Sequence, residues 1–289
     1  MPLFASALKP EFLYRPTNVW RRLVAPYRRG AQPVQTAFGA PLVVDGADAI
    51  GQAILRFGVY DLLLSETLWR LADADDLAVD VGANIGYTAI LLAHRSRAVV
   101  AFEALPEIAA DLRRNVALQS AGVAARITVR EQAVADREGP VMLERPAGFA
   151  GNRGTGRMVD AVSSPAAVEE VAAVTLDVCF PEQSVGILKI DVEGAEPLVL
   201  AGAAELLAAR RVRDVVFEAE ANVSQVEWTL REAGYAILEP IRRLSGPGLV
   251  EPGSCASPDW QPRNLVATTD PERARLRFHR RGWLVLKGD

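Results

Sequence analysis

The stretch Val79-Asp80-Val81-Gly82-Ala83-Asn84-Ile85-Gly86-Tyr87-Thr88 decides how this chain reads. A short apolar run, Leu77 to Val81, leads into it, and the apolar residues from Tyr87 to His94 recur at helical spacing. A strand that delivers an acid, then glycines, then a helix start makes a cradle. Glycines let a ligand approach the backbone, and the first helical N–H groups face it. The competing pattern is the dinucleotide fingerprint G-x-G-x-x-G. Asn84 departs from it at the second glycine, where a pyrophosphate needs bare backbone, and Asp80 would repel one. An acid there suits a ligand carrying positive charge, such as the ammonium of a methionine moiety.

Working outward, the next apolar run, Val99-Val100-Ala101-Phe102, ends at a second acid, Glu103. Glu103 comes 23 positions after Asp80, near the roughly 20 positions at which an acid accepts hydrogen bonds from ribose hydroxyls. Together the two acids and the glycine loop predict an adenosine-containing ligand, with S-adenosylmethionine preferred over NAD. A helical stretch from Pro106 to Leu118 and a run at Ile127-Thr128-Val129 follow. Further on, strands at 186–190, 212–217, 235–238 and 265–267 alternate with helices at 196–209 and 223–233. That alternation indicates parallel β-α-β units in a doubly wound α/β sheet.

Three segments break the rhythm. Six prolines between Pro2 and Pro41 forbid a long regular element in residues 1–47, which read as an irregular or helical arm ending in the extended piece Leu42-Val43-Val44. One or two helices broken at Gly58 are expected over 48–71. Residues 139–178 form an insert. Val141-Met142-Leu143-Glu144 and Val174-Thr175-Leu176-Asp177 are strand-like pieces around the glycine-rich stretch 148–156, which reads as a lid over an acceptor or as a surface loop. Residues 271–289 are set apart as a tail.

The chain has 289 residues, half of them apolar, and a formal net charge of −4. The size suits one large domain with appendages, and the acidic balance argues against a nucleic-acid partner. The basic residues gather at the two ends, among them Arg21, Arg22, Arg28 and Arg29, then Arg273, Arg275, Arg277, Arg280 and Arg281. They read as solvated, with a contact to a membrane surface or a polyanion as the competing reading. No apolar run reaches the ~18 residues of a membrane span, the N-terminus lacks the pattern of a signal peptide, and Cys179 and Cys255 show no paired spacing. A cytoplasmic protein is expected.

The chain closely resembles the FkbM-type methyltransferases. The resemblance rests on Asp80 to Tyr87, on Phe102-Glu103, and above all on Leu188-Lys189-Ile190-Asp191-Val192-Glu193-Gly194-Ala195-Glu196 followed by Val199-Leu200-Ala201-Gly202-Ala203. It implies a class I methyltransferase (Rossmann-like) domain over 48–270: seven strands in the order 3-2-1-4-5-7-6, the last antiparallel. It also implies O-methylation of a sugar, glycan or polyketide-type small molecule from S-adenosylmethionine. By the same resemblance Asp80, Gly82, Asn84 and Gly86 would line the methionine part of the cofactor, Glu103 the ribose and Gln132 the adenine, with Tyr60 and Thr88 in the surrounding shell.

Methyl transfer asks the protein to position an acceptor and take its proton. In open α/β sheets ligands bind beyond the carboxyl ends of the strands. Asp191 and Glu193 follow the fourth strand, and Glu218 and Glu220 the fifth. Only two histidines exist, His94 and His279, neither near these tips. Asp191 is therefore the expected base, with Glu193 or Glu218 in support; a helix cap is the competing role for Glu193. Lys189 alternates onto the same strand face as Asp191 and can pair with it. The oxygen set Asp191, Glu218 and Glu220 also suits Mg²⁺, although a metal-free reading is preferred. Two other readings remain: a non-enzymatic cofactor-binding or scaffold protein, and an NAD-dependent oxidoreductase.

Overall fold

The computed structural model describes residues 30–145, 157–159, 168–219, 222–255 and 263–287. A β-hairpin of β1 (Ala31–Gln35) and β2 (Pro41–Asp45) comes first. Two helices follow, α1 (Ala49–Phe57) and α2 (Leu62–Leu71). Asp48 and Asp61 each cap a helix by accepting two backbone N–H groups, and Gly58, at φ +73, closes α1 in the left-handed conformation.

The central sheet starts with β3 (Leu77–Val81), α3 (Tyr87–Ala93), β4 (Ala98–Phe102), α4 (Pro106–Ala117), a short turn of helix α5 (Ala121–Ala124) and β5 (Ile127–Arg130). The insert then contributes β6 (Ala133–Val134), β7 (Gly139–Glu144), β8 (Arg157–Val159), β9 (Val168–Val174) and the short helix α6 (Leu176–Cys179). The sheet resumes with β10 (Val185–Ile190), α7 (Glu196–Ala201), α8 (Ala204–Ala208), β11 (Val212–Glu218), α9 (Val223–Glu232), β12 (Ala236–Arg243), β13 (Gly246–Val250), β14 (Asn264–Thr268) and α10 (Pro271–Phe278).

Across the sheet the strands run β5-β4-β3-β10-β11-β14-β12-β13. β5, β4, β3, β10 and β11 are mutually parallel, while β14 runs antiparallel to both its neighbours. Every residue of β3, β10 and β14 is buried, which is why these strands read as mostly apolar runs, with Asp80 and Lys189 the charged exceptions. One face packs Ala78, Val99, Ile187 and Val216 against α2, α3 and α4. The other packs Val79, Leu188, Val215 and Phe217 against α7, α8 and α9.

The structure departs from the sequence reading in six places. The sheet has eight strands rather than seven, because β13 pairs with β12 in an edge hairpin; Gly246, Pro247 and Gly248 hide it from any strand pattern. Residues 31–45 of the expected arm form a hairpin that Asn115 and Gln119 of the α4 region tie down through Val43 and Pro41; residues 1–29 lie outside the described residues. The insert builds a second sheet, β6-β9-β7-β8, rather than isolated strand pieces. Residues 176–179 are helical because Thr175 caps Val178; the stretch 148–156 lies outside the described residues. The expected single helix over 196–209 is two, interrupted where Gly202 passes so close to Ala135 that a Cβ would lie 1.9 Å from its carbonyl oxygen.

The sixth departure concerns the segment set apart as a tail. Trp283, Val285 and Leu286 are buried in the same core as α2. The Glu66 carboxylate accepts the N–H groups of Leu284 and Val285, and Arg70 donates to the carbonyls of Arg277, Arg280 and Gly282. Arg273 pairs with the buried Asp214 at 3.0 Å. Residues 271–287 are thus part of the domain.

Candidate active site

The site assembles where parallel strands β4, β3, β10 and β11 end side by side. Asp80 and Lys189 are register partners on β3 and β10, so alternation places both side chains on one face, and both are almost fully buried. Lys189 Nζ lies 3.1 Å from Asp80 Oδ1 and 3.3 Å from Asp191 Oδ2, and it donates to the Gly82 carbonyl at 2.8 Å. Thr88 donates its hydroxyl to the other Asp80 oxygen at 2.6 Å. One buried cation therefore neutralises an acid from the first strand, touches the acid at the tip of the fourth and holds the glycine loop. Burial would lower the Lys189 pKa, but the two carboxylates outweigh it and raise it, so the ammonium stays charged.

The loop needs its glycines for close approach. Gly82 sits at φ +76, and a Cβ there would fall 1.9 Å from the Asp191 carbonyl oxygen. Gly86, at φ +92, would drive a Cβ to 2.4 Å from Leu112 Cδ1. Asn84 adopts φ +50 and its side-chain oxygen accepts the N–H of Ile85. Asn is among the few non-glycine residues that tolerate this conformation, so the departure from the dinucleotide pattern is built into the turn.

Glu103 is buried at the end of β4 and accepts the N–H groups of Asn84 and Leu105 at 2.9 and 3.0 Å. Burial pushes its carboxyl pKa up, against those two hydrogen bonds. The turn after β10 is unusual. Glu193 and Gly194 are both left-handed, at φ +49 and +94. Glu196, itself buried, accepts the Gly194 N–H at 3.3 Å, and Asn222 donates to the Gly194 carbonyl and to Glu196 at 2.9 Å each. Strain at a non-glycine residue clamped in this way is a common mark of functional turns.

A single cleft collects most of the residues singled out in the sequence. Gly82, Asn84, Thr88, Glu103, Gln132, Tyr60, Asp191, Glu193 and Glu218 all line it. It spans about 1120 Å³ with the solvent at its mouth. Asp80 and Gly86 do not line it; Asp80 lies beneath its floor, held by Lys189 and Thr88. The Thr88 hydroxyl is likewise committed to Asp80. Burial raises the Tyr60 pKa, and the nearby carboxylates of Asp191, Asp61 and Glu218 raise it further, so the phenol stays protonated beside the acids.

Sequence reasoning missed the apolar wall. Leu143 and Met158 from the second sheet face the cleft with Val134 and Leu105. In β7 Val141 and Leu143 are buried while Met142 is not, but all three are apolar, so no alternation in the sequence marks the inward face. It also missed the Glu196–Asn222 clamp, whose partners are 26 positions apart. Glu220 lies outside the described residues. Among the described residues no three His, Cys, Asp or Glu side chains gather as metal ligands, and no helix is long and apolar enough to cross a membrane.

Compared with curated proteins, the chain finds no match. Among solved structures it is similar to a methyltransferase FkbM from Methylobacillus flagellatus KT, at 17% identity and a TM-score of 0.47, over 68% of this chain and 44% of that one. The match thus spans under half the length of that protein. A tRNA methyltransferase from M. jannaschii aligns at 12% identity and a TM-score of 0.43, over 84% of this chain and 55% of that one. A precorrin methyltransferase from Geobacter metallireducens aligns at 13% identity and a TM-score of 0.40, over 72% and 88%. The family model described as the methyltransferase FkbM domain matches residues 80–237, more than half of the chain and the whole span from Asp80 past Glu218. The chain belongs to the FkbM methyltransferase family.

Proposed function

We propose that this chain moves the methyl group of S-adenosylmethionine onto a hydroxyl of a sugar, glycan or polyketide-type small molecule. One observation carries the reading: Glu103, the glycine loop, Asp191 and Glu218 line one cleft from the tips of four adjacent strands. Three strand spacings separate the β4 and β11 tips, roughly 14 Å. That span leaves room for a nucleoside held at one side and an acceptor at the other.

In this reading Glu103 accepts hydrogen bonds from the ribose hydroxyls. The backbone of Gly82 to Asn84 takes the methionine part, and Gln132, Val134 and Leu143 bound the base. The cofactor supplies a methyl carbon activated by its sulfonium. With the cofactor bound, an acceptor oxygen in line with that carbon would form the C–O bond as the C–S bond breaks, leaving a neutral thioether. Asp191 takes the hydroxyl proton and releases it to water at the cleft mouth. Lys189, at 3.3 Å, fixes that carboxylate in place. Asp80 acts through Lys189 as a positioning residue rather than as a ligand of the ammonium.

The test combines calorimetry with S-adenosylhomocysteine and a labelled-methyl screen of nucleotide sugars, glycolipid intermediates and macrolide-type polyols. A structured RNA and an excess of chelator are included as further arms. Wild type should bind the thioether and label a hydroxyl in chelator. Asp191→Asn should keep the affinity and lose about 100-fold or more in turnover. Affinity without labelling of any acceptor would favour the scaffold reading. A folded Asp191→Asn with full activity would remove Asp191 from its role, and labelling of the RNA alone would replace the acceptor class.

A further inference from the structure

Away from the active site, the β12–β13 hairpin and the segment that ends α10 border a second cavity of about 800 Å³ with the solvent at its mouth, within the size range of ligand pockets. Arg243, Arg275, His279, Arg280 and Arg281 line it, and no Asp or Glu does so among the described residues. Glu251 stands beside it, paired with Arg275 at 2.6 Å. Four arginines against one carboxylate leave about three positive charges in one concavity of a chain whose formal net charge is −4. Concentrating like charges in a groove raises the local potential and attracts anions.

The groove is also held in shape. Gly248 lacks the side chain that would meet the Arg243 guanidinium at 2.9 Å, so that group lies flat on the strand. The carbonyls at the end of a helix repel an anion, but here the buried Arg70 donates to those of Arg277, Arg280 and Gly282 from behind. The Glu66 carboxylate pins Leu284 and Val285 just beyond. Residues 279–281 are thereby presented from a fixed backbone rather than a loose end. Planar guanidinium forks converging on one space match the oxygens of a phosphoryl group.

We propose that this groove is a phosphoryl-binding site, distinct from the methyl-transfer cleft, for a phosphoryl group borne by a lipid or by a free phosphate compound. Leu244 and Leu276, 52% and 66% exposed, adjoin Arg243 and Arg275 in the chain and give a lipid an apolar contact beside its head group.

The full chain is tested with two probes at low salt: flotation with phosphatidylcholine vesicles with and without phosphatidylglycerol, and calorimetry with inorganic pyrophosphate. Binding to the phosphatidylglycerol vesicles alone identifies a lipid source, and binding to pyrophosphate a soluble one; either supports the site. The variant Arg243→Gln/Arg281→Gln, both of whose side chains are exposed, should bind roughly 30-fold more weakly, at about fivefold per arginine. Its melting temperature and its affinity for S-adenosylhomocysteine should be unchanged, which separates this site from the proposed activity. Binding of neither probe, or equal binding by the variant, overturns the proposal.

Discussion

Replacing Lys189 by Met tests how the site is held together. Met keeps most of the side-chain volume and removes the charge. Asp80, fully buried, then loses its cation, keeps only the Thr88 hydrogen bond, and the Gly82 carbonyl loses its donor. Removing one partner of a buried ion pair costs about 3–5 kcal/mol, because the remaining charge is left without compensation. For a domain of this size that corresponds to a melting temperature lower by roughly 6–20 °C. Thermal melts of the single variant and of Asp80→Asn/Lys189→Met from pH 4 to 8 give the measurement. The double variant should recover most of the loss at neutral pH, since no buried charge remains. A single variant within about 1 kcal/mol of wild type at pH 7, or a double variant worse than the single, would refute the argument.

Three further outcomes follow from the same geometry. Gly82→Ala should abolish affinity for S-adenosylhomocysteine while leaving a folded protein, because its Cβ cannot coexist with the Asp191 carbonyl at 1.9 Å and the loop must retreat; calorimetry reads the loss and circular dichroism the fold. Burial raises the Glu103 pKa, and in the proposed complex ribose hydroxyls would donate to the carboxylate, so affinity should be full above that raised pKa and decline on acidification sooner than for an ordinary Glu. Glu103→Gln should bind about tenfold or more weakly with a flat pH profile over the same range. Trp283→Ala should destabilise by about 3–5 kcal/mol in denaturant titration, since Trp283 has no exposed surface; a loss under 1 kcal/mol would mean that the C-terminal segment is dispensable to the core.

What the amino-acid order determined by itself is whatever depends on local chemistry. Runs such as Leu77 to Val81 and 186–190, each interrupted by one charged residue, announce strands covered on both faces, because burial leaves no room for a regular polar alternation. Gly82, Asn84 and Gly86 announce a turn that only residues tolerant of positive φ can make. Asp191 and Glu218 announce themselves as acids at strand tips, because one directly follows and the other ends a largely apolar run. Tertiary structure alone decided what those acids face. Asp80 and Lys189 are 109 positions apart, and only the parallel register of β3 and β10 turns a predicted ligand contact into a buried ion pair. Glu196 and Asn222 clamp the strained turn across two helices. The hairpin at 31–45 and the segment 271–287 join the domain through partners remote in sequence, Asn115 and Glu66 among them. Local periodicity carries no record of such partners, because the energy that fixes them comes from packing and charge pairing between distant parts of the chain.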